Sequence, residues 1–300
     1  MAPDRAAREG KAAAAKVVNA LSVDVEDWFQ VGAFEKVIER DSWPSLEDRV
    51  ERNVEAILAM FDEAQVKATF FTLGWVAERH KGLIRRIAEA GHEIASHGWD
   101  HARVFSLTRE QFAEDLAHAR GVLEDAGGTA VQGYRAPSFS IDKRNPWAFE
   151  VLAEQGYTYS SSVAPVAHDH YGWPEAPRFA FRPLADADLI ELPVTTAMLG
   201  SRRIAAGGGG FFRVLPYQFS RWAIRQVNQR EGRPAIFYFH PWEVDPDQPR
   251  VADAPLRSRF RHYTNLDRMA GKLSRVVNEF AWDRVDMVVA REAARLDAAA

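Results

Sequence analysis

Short apolar runs alternate with helical segments along almost the whole chain, and no other feature narrows its fold as much. Residues 17–25 form an apolar run of strand length, and residues 66–73 are rich in β-branched and aromatic side chains. Residues 92–96, 131–134, 157–163, 189–195 and 235–239 read as further strands, and 284–289 as the last. Between them lie helical patterns. Val50, Val54, Ile57, Leu58 and Phe61 recur at helical spacing, with Ser45 placed to cap a helix reaching about Glu63. Leu83, Ile84 and Ile87 mark a short helix stopped by Gly91, and Thr108 with Gln111 has the signature of a capping box. Asn145 followed by Pro146, and later Asn265, stand where helices would begin. About seven strand–helix units build a mainly parallel sheet with crossover helices. No dinucleotide glycine fingerprint follows the first strand, so an α/β barrel of about seven parallel strands fits better than an open doubly wound sheet. Residues 1–16, rich in alanine and charge, read as a flexible lead-in, and residues 17–300 as a single domain.

Composition removes several functional classes. The 300 residues, 47% of them hydrophobic, suffice for a sizeable core. A net charge of -4 with both signs interspersed argues against a nucleic-acid partner bound by bulk charge. There is no cysteine, which excludes disulfides, thiolate metal sites and a cysteine nucleophile. The first sixteen residues lack the apolar core of a signal peptide, and no run approaches the ~18 apolar residues that span a bilayer. The expectation is a cytoplasmic protein without a membrane span. Gly207–Gly210 is followed by no lysine–serine pair, so it reads as a flexible loop wall rather than a phosphate cradle.

Four polar clusters fall at expected strand ends. Asp24, Glu26 and Asp27 end the first strand, and His97 and His101 follow the third. Arg135-Ala136-Pro137-Ser138 follows the fourth, and His240-Pro241-Trp242-Glu243 a late one. Reactive groups of (β/α) barrels sit at such C-terminal ends. One carboxylate with two histidines suits a divalent ion, zinc best, with manganese, cobalt or nickel also compatible. Such an ion lowers the pKa of a bound water and polarises a carbonyl. A second carboxylate, off the metal, can take the water's proton, with Arg135 holding that base in place and ionised. His240 can protonate the leaving group, and the backbone N–H of Ser138 can face a developing oxyanion. Together these groups describe metal-assisted hydrolysis of an amide or ester. Trp28, Trp99, Trp173 and Trp242 lie near the expected rim and can stack on sugar rings, although packing is the plainer role for any one of them.

These motifs carry a resemblance. Asp24-Val25-Glu26-Asp27, the His97–His101 pair, Arg135-Ala136-Pro137 and Phe239-His240-Pro241 resemble the polysaccharide deacetylase family, carbohydrate esterase family 4. The wording Val-Asp-Val-Glu-Asp-Trp-Phe and Phe-His-Pro-Trp-Glu is similar to the branch found with bacterial exopolysaccharide export and protein sorting. The resemblance implies a deformed (β/α) barrel and removal of acetyl groups from an N-acetylated sugar polymer or its precursor. It gives Asp24 the base role. It leaves the acidic metal ligand as Glu26 or Asp27: strand alternation puts Asp24 and Glu26 on one side, whereas a turn from Val25 presents Asp27. The family's aspartate that tunes the late histidine has no counterpart in Tyr159-Ser160-Ser161-Ser162-Val163. Two other readings stand beside it: an allantoinase-like hydrolase of small cyclic amides, and a non-enzymatic carbohydrate-binding barrel.

Overall fold

A computed structural model describes residues 17–167 and 172–299. The lead-in expected over residues 1–16 lies outside the described residues. The strands, in chain order, are β1 (Val18–Val25), β2 (Thr69–Thr72), β3 (Glu93–Ser96), β4 (Gly133–Tyr134) and β5 (Tyr159–Ser160). They continue with β6 (Ile190–Glu191), β7 (Thr196–Leu199), β8 (Arg202–Ala205), β9 (Ile236–Phe239) and β10 (Ala281–Asp283). Seven of them form one curled sheet in the order β9-β1-β2-β3-β4-β5-β6, every neighbouring pair parallel. β10 also pairs with β1, over residues 18–20, while β9 takes residues 20–23. The α/β barrel expected from the alternation is this sheet, deformed because β4, β5 and β6 are only two residues long.

An irregular segment bridges β6 to β9. Tyr238 N–H donates to the Gly207 carbonyl at 2.8 Å, and Ile236 N–H to Thr195 Oγ1 at 2.6 Å. A Cβ on Gly207 would sit 2.4 Å from the Ile236 carbonyl oxygen, and one on Gly208 2.6 Å from Tyr238 Oη. The start of the glycine run is therefore tight packing at the seam, not the flexible wall expected of it.

Most helices lie where periodicity puts them. Val50–Glu63 buries Val50, Val54, Ile57 and Phe61 against the sheet. Each such side chain stabilises by about 1.5–3 kcal/mol. Arg109–Gly127 opens on the expected capping box, Thr108 Oγ1 accepting from Gln111 N–H and Gln111 Oε1 from Thr108 N–H. It ends on Gly128 at φ +66°, a left-handed stop. Three expectations are corrected. Residues 284–289 are not a strand: β10 ends at Asp283, and Val285, Val288 and Val289 form the buried stripe of helix Val285–Asp297. Their spacing of three and four fits a helix, and β-branching alone misleads there. Ser45 ends a short 3-10 turn instead of capping Val50–Glu63. Asn145 holds a turn through Asp142 N–H and the Ser140 carbonyl, and the helix starts later, at Ala148. No described helix is long and apolar enough to cross a membrane.

Candidate active site

All four polar clusters emerge at the C-terminal ends of neighbouring strands, as parallel pairing requires. β1 delivers Asp24 and then Glu26, β3 ends one residue before His97, β4 one before Arg135, and β9 one before His240. All of these except His101 and His240 are under 3% exposed, so their charges interact at short range with little screening.

Glu26, His97 and His101 converge, each offering one ligand atom within 4.8 Å of the others. Nδ1 of His97 lies 2.8 Å from the Arg135 carbonyl, which fixes that nitrogen as the donor and leaves Nε2 with its lone pair toward the group. Burial pushes the His97 pKa down to about 4, so the ring is neutral, as a ligand must be. His101 adopts a left-handed backbone, φ +63°, after Gly98 at φ +75°. That unusual conformation turns the ring back so that Nε2 stands 3.0 Å from Glu26 Oε2. Glu26 Oε2 is buried and makes no hydrogen bond of acceptable geometry. Burial disfavours the Glu26 anion, yet His101, His240 and His97 outweigh it and hold the pKa near 2. A buried carboxylate oxygen without a donor, facing two imidazoles, is the donor set of a divalent cation.

Beside this group stand the residues expected to move protons. Asp24 Oδ1 accepts from Arg135 Nη1 at 2.6 Å, and Oδ2 lies 4.0 Å from His240 Nε2. Arg135 is fully buried and held on every side: Nη1 also donates to Ser22 Oγ, Nε to the Ser161 carbonyl and Nη2 to Ser161 Oγ. Ser161 thus anchors the arginine, while Ser162 Oγ accepts from Ala136 N–H and from Ser160 Oγ. His240 Nε2 lies 3.6 Å from Glu26 Oε1. Burial opposes its charge, but Glu26, Glu243 and Asp24 prevail and lift its pKa to about 9. Ser138 and Phe139 both adopt positive φ, +54° and +50°, in the turn after Pro137.

Two assignments read from the residues change. Asp27 does not join the group. Its Oδ2 accepts from Arg49 N–H at 2.7 Å and Val50 N–H at 2.9 Å, and Oδ1 from Trp28 N–H at 2.7 Å. It caps the helix Val50–Glu63 from a distant segment, taking the place expected of Ser45. Trp242 offers no face to a sugar: it is 7% exposed, with its ring against His262 (4.0 Å) and His240 (5.3 Å). Its Nε1–H donates to Glu26 Oε1 at 3.2 Å, so it orients the acid. Trp28 is buried too, donating to the Glu47 carbonyl.

Sequence reasoning missed the partner of His240. It is Glu243, three residues on, whose Oε1 lies 2.8 Å from His240 Nδ1. Arg213 Nε donates to the other oxygen at 2.6 Å. The signal was in plain view in His240-Pro241-Trp242-Glu243, because a glutamate three residues past a turn-initiating residue reaches back to it.

Residues 39–160 match the family profile described as polysaccharide deacetylase, and residues 161–290 a domain family of unknown function, DUF3473. A peptidoglycan deacetylase of Helicobacter pylori is 27% identical over 113 residues, 38% of this chain and 38% of its own. A chitooligosaccharide deacetylase of Sinorhizobium fredii is 32% identical over 146 residues, 48% of this chain and 61% of its own. The matched stretches span 19–38% of the length of the first relatives. Among solved structures, one from Mycobacterium smegmatis, provisionally described as a polysaccharide deacetylase, superposes with a TM-score of 0.61 at 20% identity. It covers 94% of this chain and 90% of its own, and so shares the fold. His97, His101 and Arg135 lie inside the first matched stretch and His240 and Glu243 inside the second, and over residues 39–160 the chain is similar to the polysaccharide deacetylase family.

Proposed function

We propose that this chain is a metal-dependent hydrolase that removes N-acetyl groups from an N-acetylated sugar polymer or its precursor. One observation carries the reading: a buried Glu26–His97–His101 group with Asp24 and His240 standing on it. Glu26, His97 and His101 are the residues that would hold a divalent ion, zinc by preference for two imidazoles and a carboxylate. Such an ion supplies Lewis acidity toward the acetyl carbonyl and toward water.

The remaining chemistry belongs to the side chains. Asp24, its Oδ1 fixed by Arg135, presents Oδ2 to take a proton from the attacking water. The water oxygen adds to the acetyl carbon, and the C–N bond then breaks as His240 Nε2 gives its proton to the departing nitrogen. The products are acetate and an amine. Glu243 keeps His240 oriented, with Nε2 toward the site. The backbone N–H of Ser138 is assigned to the developing oxyanion. The deacetylase names of the relatives support a carbohydrate substrate.

The test is metal content and acetate release from a chitin oligomer, measured together. His97→Ala and His101→Ala should lose both. Asp24→Asn should keep the metal and lose turnover. A His97→Ala protein that binds zinc as before would remove the ligand assignment, and turnover of a ureide in place of the oligomer would move the substrate to cyclic amides.

A further inference from the structure

The chemistry described so far leaves a buried acid unused at the C-terminal rim of the sheet. Glu191 ends β6 and is fully buried. An ionised carboxylate is costly to bury and persists only where partners compensate it. Glu191 Oε1 accepts from Ser162 N–H at 2.9 Å and from Val163 N–H at 2.8 Å. β5 ends at Ser160, and the glutamate takes these two N–H groups just past it. Oε2 makes no hydrogen bond of acceptable geometry, so the grip runs through Oε1. Burial lifts the pKa of Glu191 to about 7, while Ser160, the two N–H groups and Arg135 favour its anion.

A single peptide unit joins this acid to the site. The carbonyl of Ser161 and the N–H of Ser162 belong to one planar trans peptide, and so point in opposite directions. The N–H end meets Glu191, and the carbonyl end accepts from Arg135 Nε at 3.1 Å. A carboxylate at the first end and a guanidinium at the second both align with the peptide's dipole, and hydrogen bonds in such a chain strengthen one another. Arg135 Nη1 then meets Asp24 Oδ1 at 2.6 Å. Every link of this line is under 3% exposed. Ser161 N–H donates to the Tyr134 carbonyl at 2.9 Å, which fixes the residue only on its N-terminal side. Glu191 fixes the peptide that follows, and a tilt of that peptide would withdraw the Ser161 carbonyl from Arg135.

We propose that Glu191 is a positioning residue of this reaction: it clamps the Ser161–Ser162 peptide so that Arg135, and through it Asp24, is aimed at the attacking water. The inference rests on the deacetylase reading and adds to it a residue that touches neither substrate nor metal.

The experiment compares zinc-loaded parent, Glu191→Asp, Glu191→Gln and Arg135→Lys on a chitin tetramer at pH 8.5, where Glu191 is ionised. Hydrogen exchange at Arg135 Nε is followed by nitrogen-15 NMR on the same proteins, its resonance being the one lost in Arg135→Lys. Aspartate keeps the charge but falls one methylene short of the two N–H groups. It should lower kcat by about 10–100-fold with KM within about twofold, keep its zinc, and speed the exchange. Glutamine keeps the acceptor and drops the charge; it should lose only about twofold to tenfold in kcat and speed the exchange less. In the Arg135→Lys background, Glu191→Asp should cost less than about twofold more, because the path it acts through is already cut. A purely structural glutamate would lower the melting temperature of the variants while folded protein kept its kcat and its Arg135 exchange, and that result overturns the proposal. Losses that multiply in full with Arg135→Lys overturn it too. If Glu191→Asp does not fold, Glu191→Gln decides: a loss of kcat with faster exchange supports the clamp, and parent-like values of either overturn it. If the parent itself releases no acetate, the deacetylase reading fails instead. The exchange then decides alone: faster exchange in the variants supports the clamp on Arg135, and unaltered exchange overturns it.

Discussion

Nδ1 of His240 meets Glu243 Oε1 at 2.8 Å, and the same carboxylate is gripped from behind by Arg213 Nε at 2.6 Å. Arg213 is itself held by the carbonyls of Arg261, His262 and Thr264, so the acid's orientation is set through three layers of buried contacts. Burial disfavours the Glu243 anion, but Arg213 and His240 prevail and keep its pKa below the usual carboxylate range. Glu243→Gln removes one of the charges that lift His240 to about 9. A general acid works only while protonated, so activity falls as pH rises through its pKa. The variant should keep its metal, lose about 10–100-fold in kcat/KM, and show its alkaline limb at lower pH. A pH–rate profile beside metal analysis checks this; an unmoved limb would show that His240 titrates independently of Glu243.

Gly209 guards that same carboxylate. A Cβ there would stand 2.2 Å from Glu243 Oε1, whereas one on Gly210 meets nothing within 4 Å. Both positions lie in helix Gly209–Val214, where alanine is favoured over glycine by about 0.5–1 kcal/mol. Gly209→Ala should therefore fold and bind metal, yet lose activity in the direction of Glu243→Gln. Gly210→Ala should keep activity and melt no lower than the parent. Equal activity of the two proteins would mean that the seam gives way without disturbing the acid.

Asp27 and Glu26 are adjacent acids with separate work, and substitution should divide them. Asp27→Ala strips the acceptor from the Arg49 and Val50 N–H groups at the start of Val50–Glu63, at a cost of about 1–3 kcal/mol. Metal content should not change. Glu26→Gln should do the reverse, abolishing metal binding with a smaller effect on the metal-free protein's unfolding. Metal analysis with urea denaturation of both variants separates the roles. Loss of metal from Asp27→Ala at full stability would restore it as a ligand.

The barrel and the strand ends were legible in the sequence because both follow from periodicity. Apolar runs of strand length and stripes at helical spacing imply alternating parallel strands, and the parallel topology then fixes which polar residues share a rim. What was hidden depended on contacts between distant segments. Asp27 caps a helix that starts more than twenty residues later, which no local pattern announces. Glu26 against Asp27 turned on whether the strand ended at Val25 or beyond, and Glu26 faces the histidines because β1 runs through Val25. The serine triplet at 160–162 suggested a missing partner for His240, when Ser161 in it holds Arg135 and Ser162 takes the Ala136 N–H. Arg213 could be paired with Glu243 only once the glycine-rich seam had been folded against β9.

A last prediction concerns the far end of the sheet. His92 is 5% exposed, lies against Phe61 and Phe70, and accepts the Ala68 N–H on Nδ1 at 3.1 Å. Burial pushes its pKa down to about 4. The unfolded chain takes up this proton near pH 6.5, the folded chain only near pH 4. Between those values the unfolded state binds more protons, so stability rises with pH there and is lost as pH falls. The contribution is complete above pH 6.5, shrinks across the window, and is gone below pH 4. Its full size is about 3 kcal/mol, from roughly 1.4 kcal/mol per pH unit. His92→Gln, which can still accept from Ala68, should be less stable than the parent at pH 7.5. Its stability should also fall less steeply on acidification. Urea unfolding of chelator-treated protein from pH 7.5 to 4.5 measures both slopes with the metal group silent. Parallel slopes for parent and variant would mean that His92 is already protonated in the folded chain, and that the aromatic pocket around it does not exclude charge.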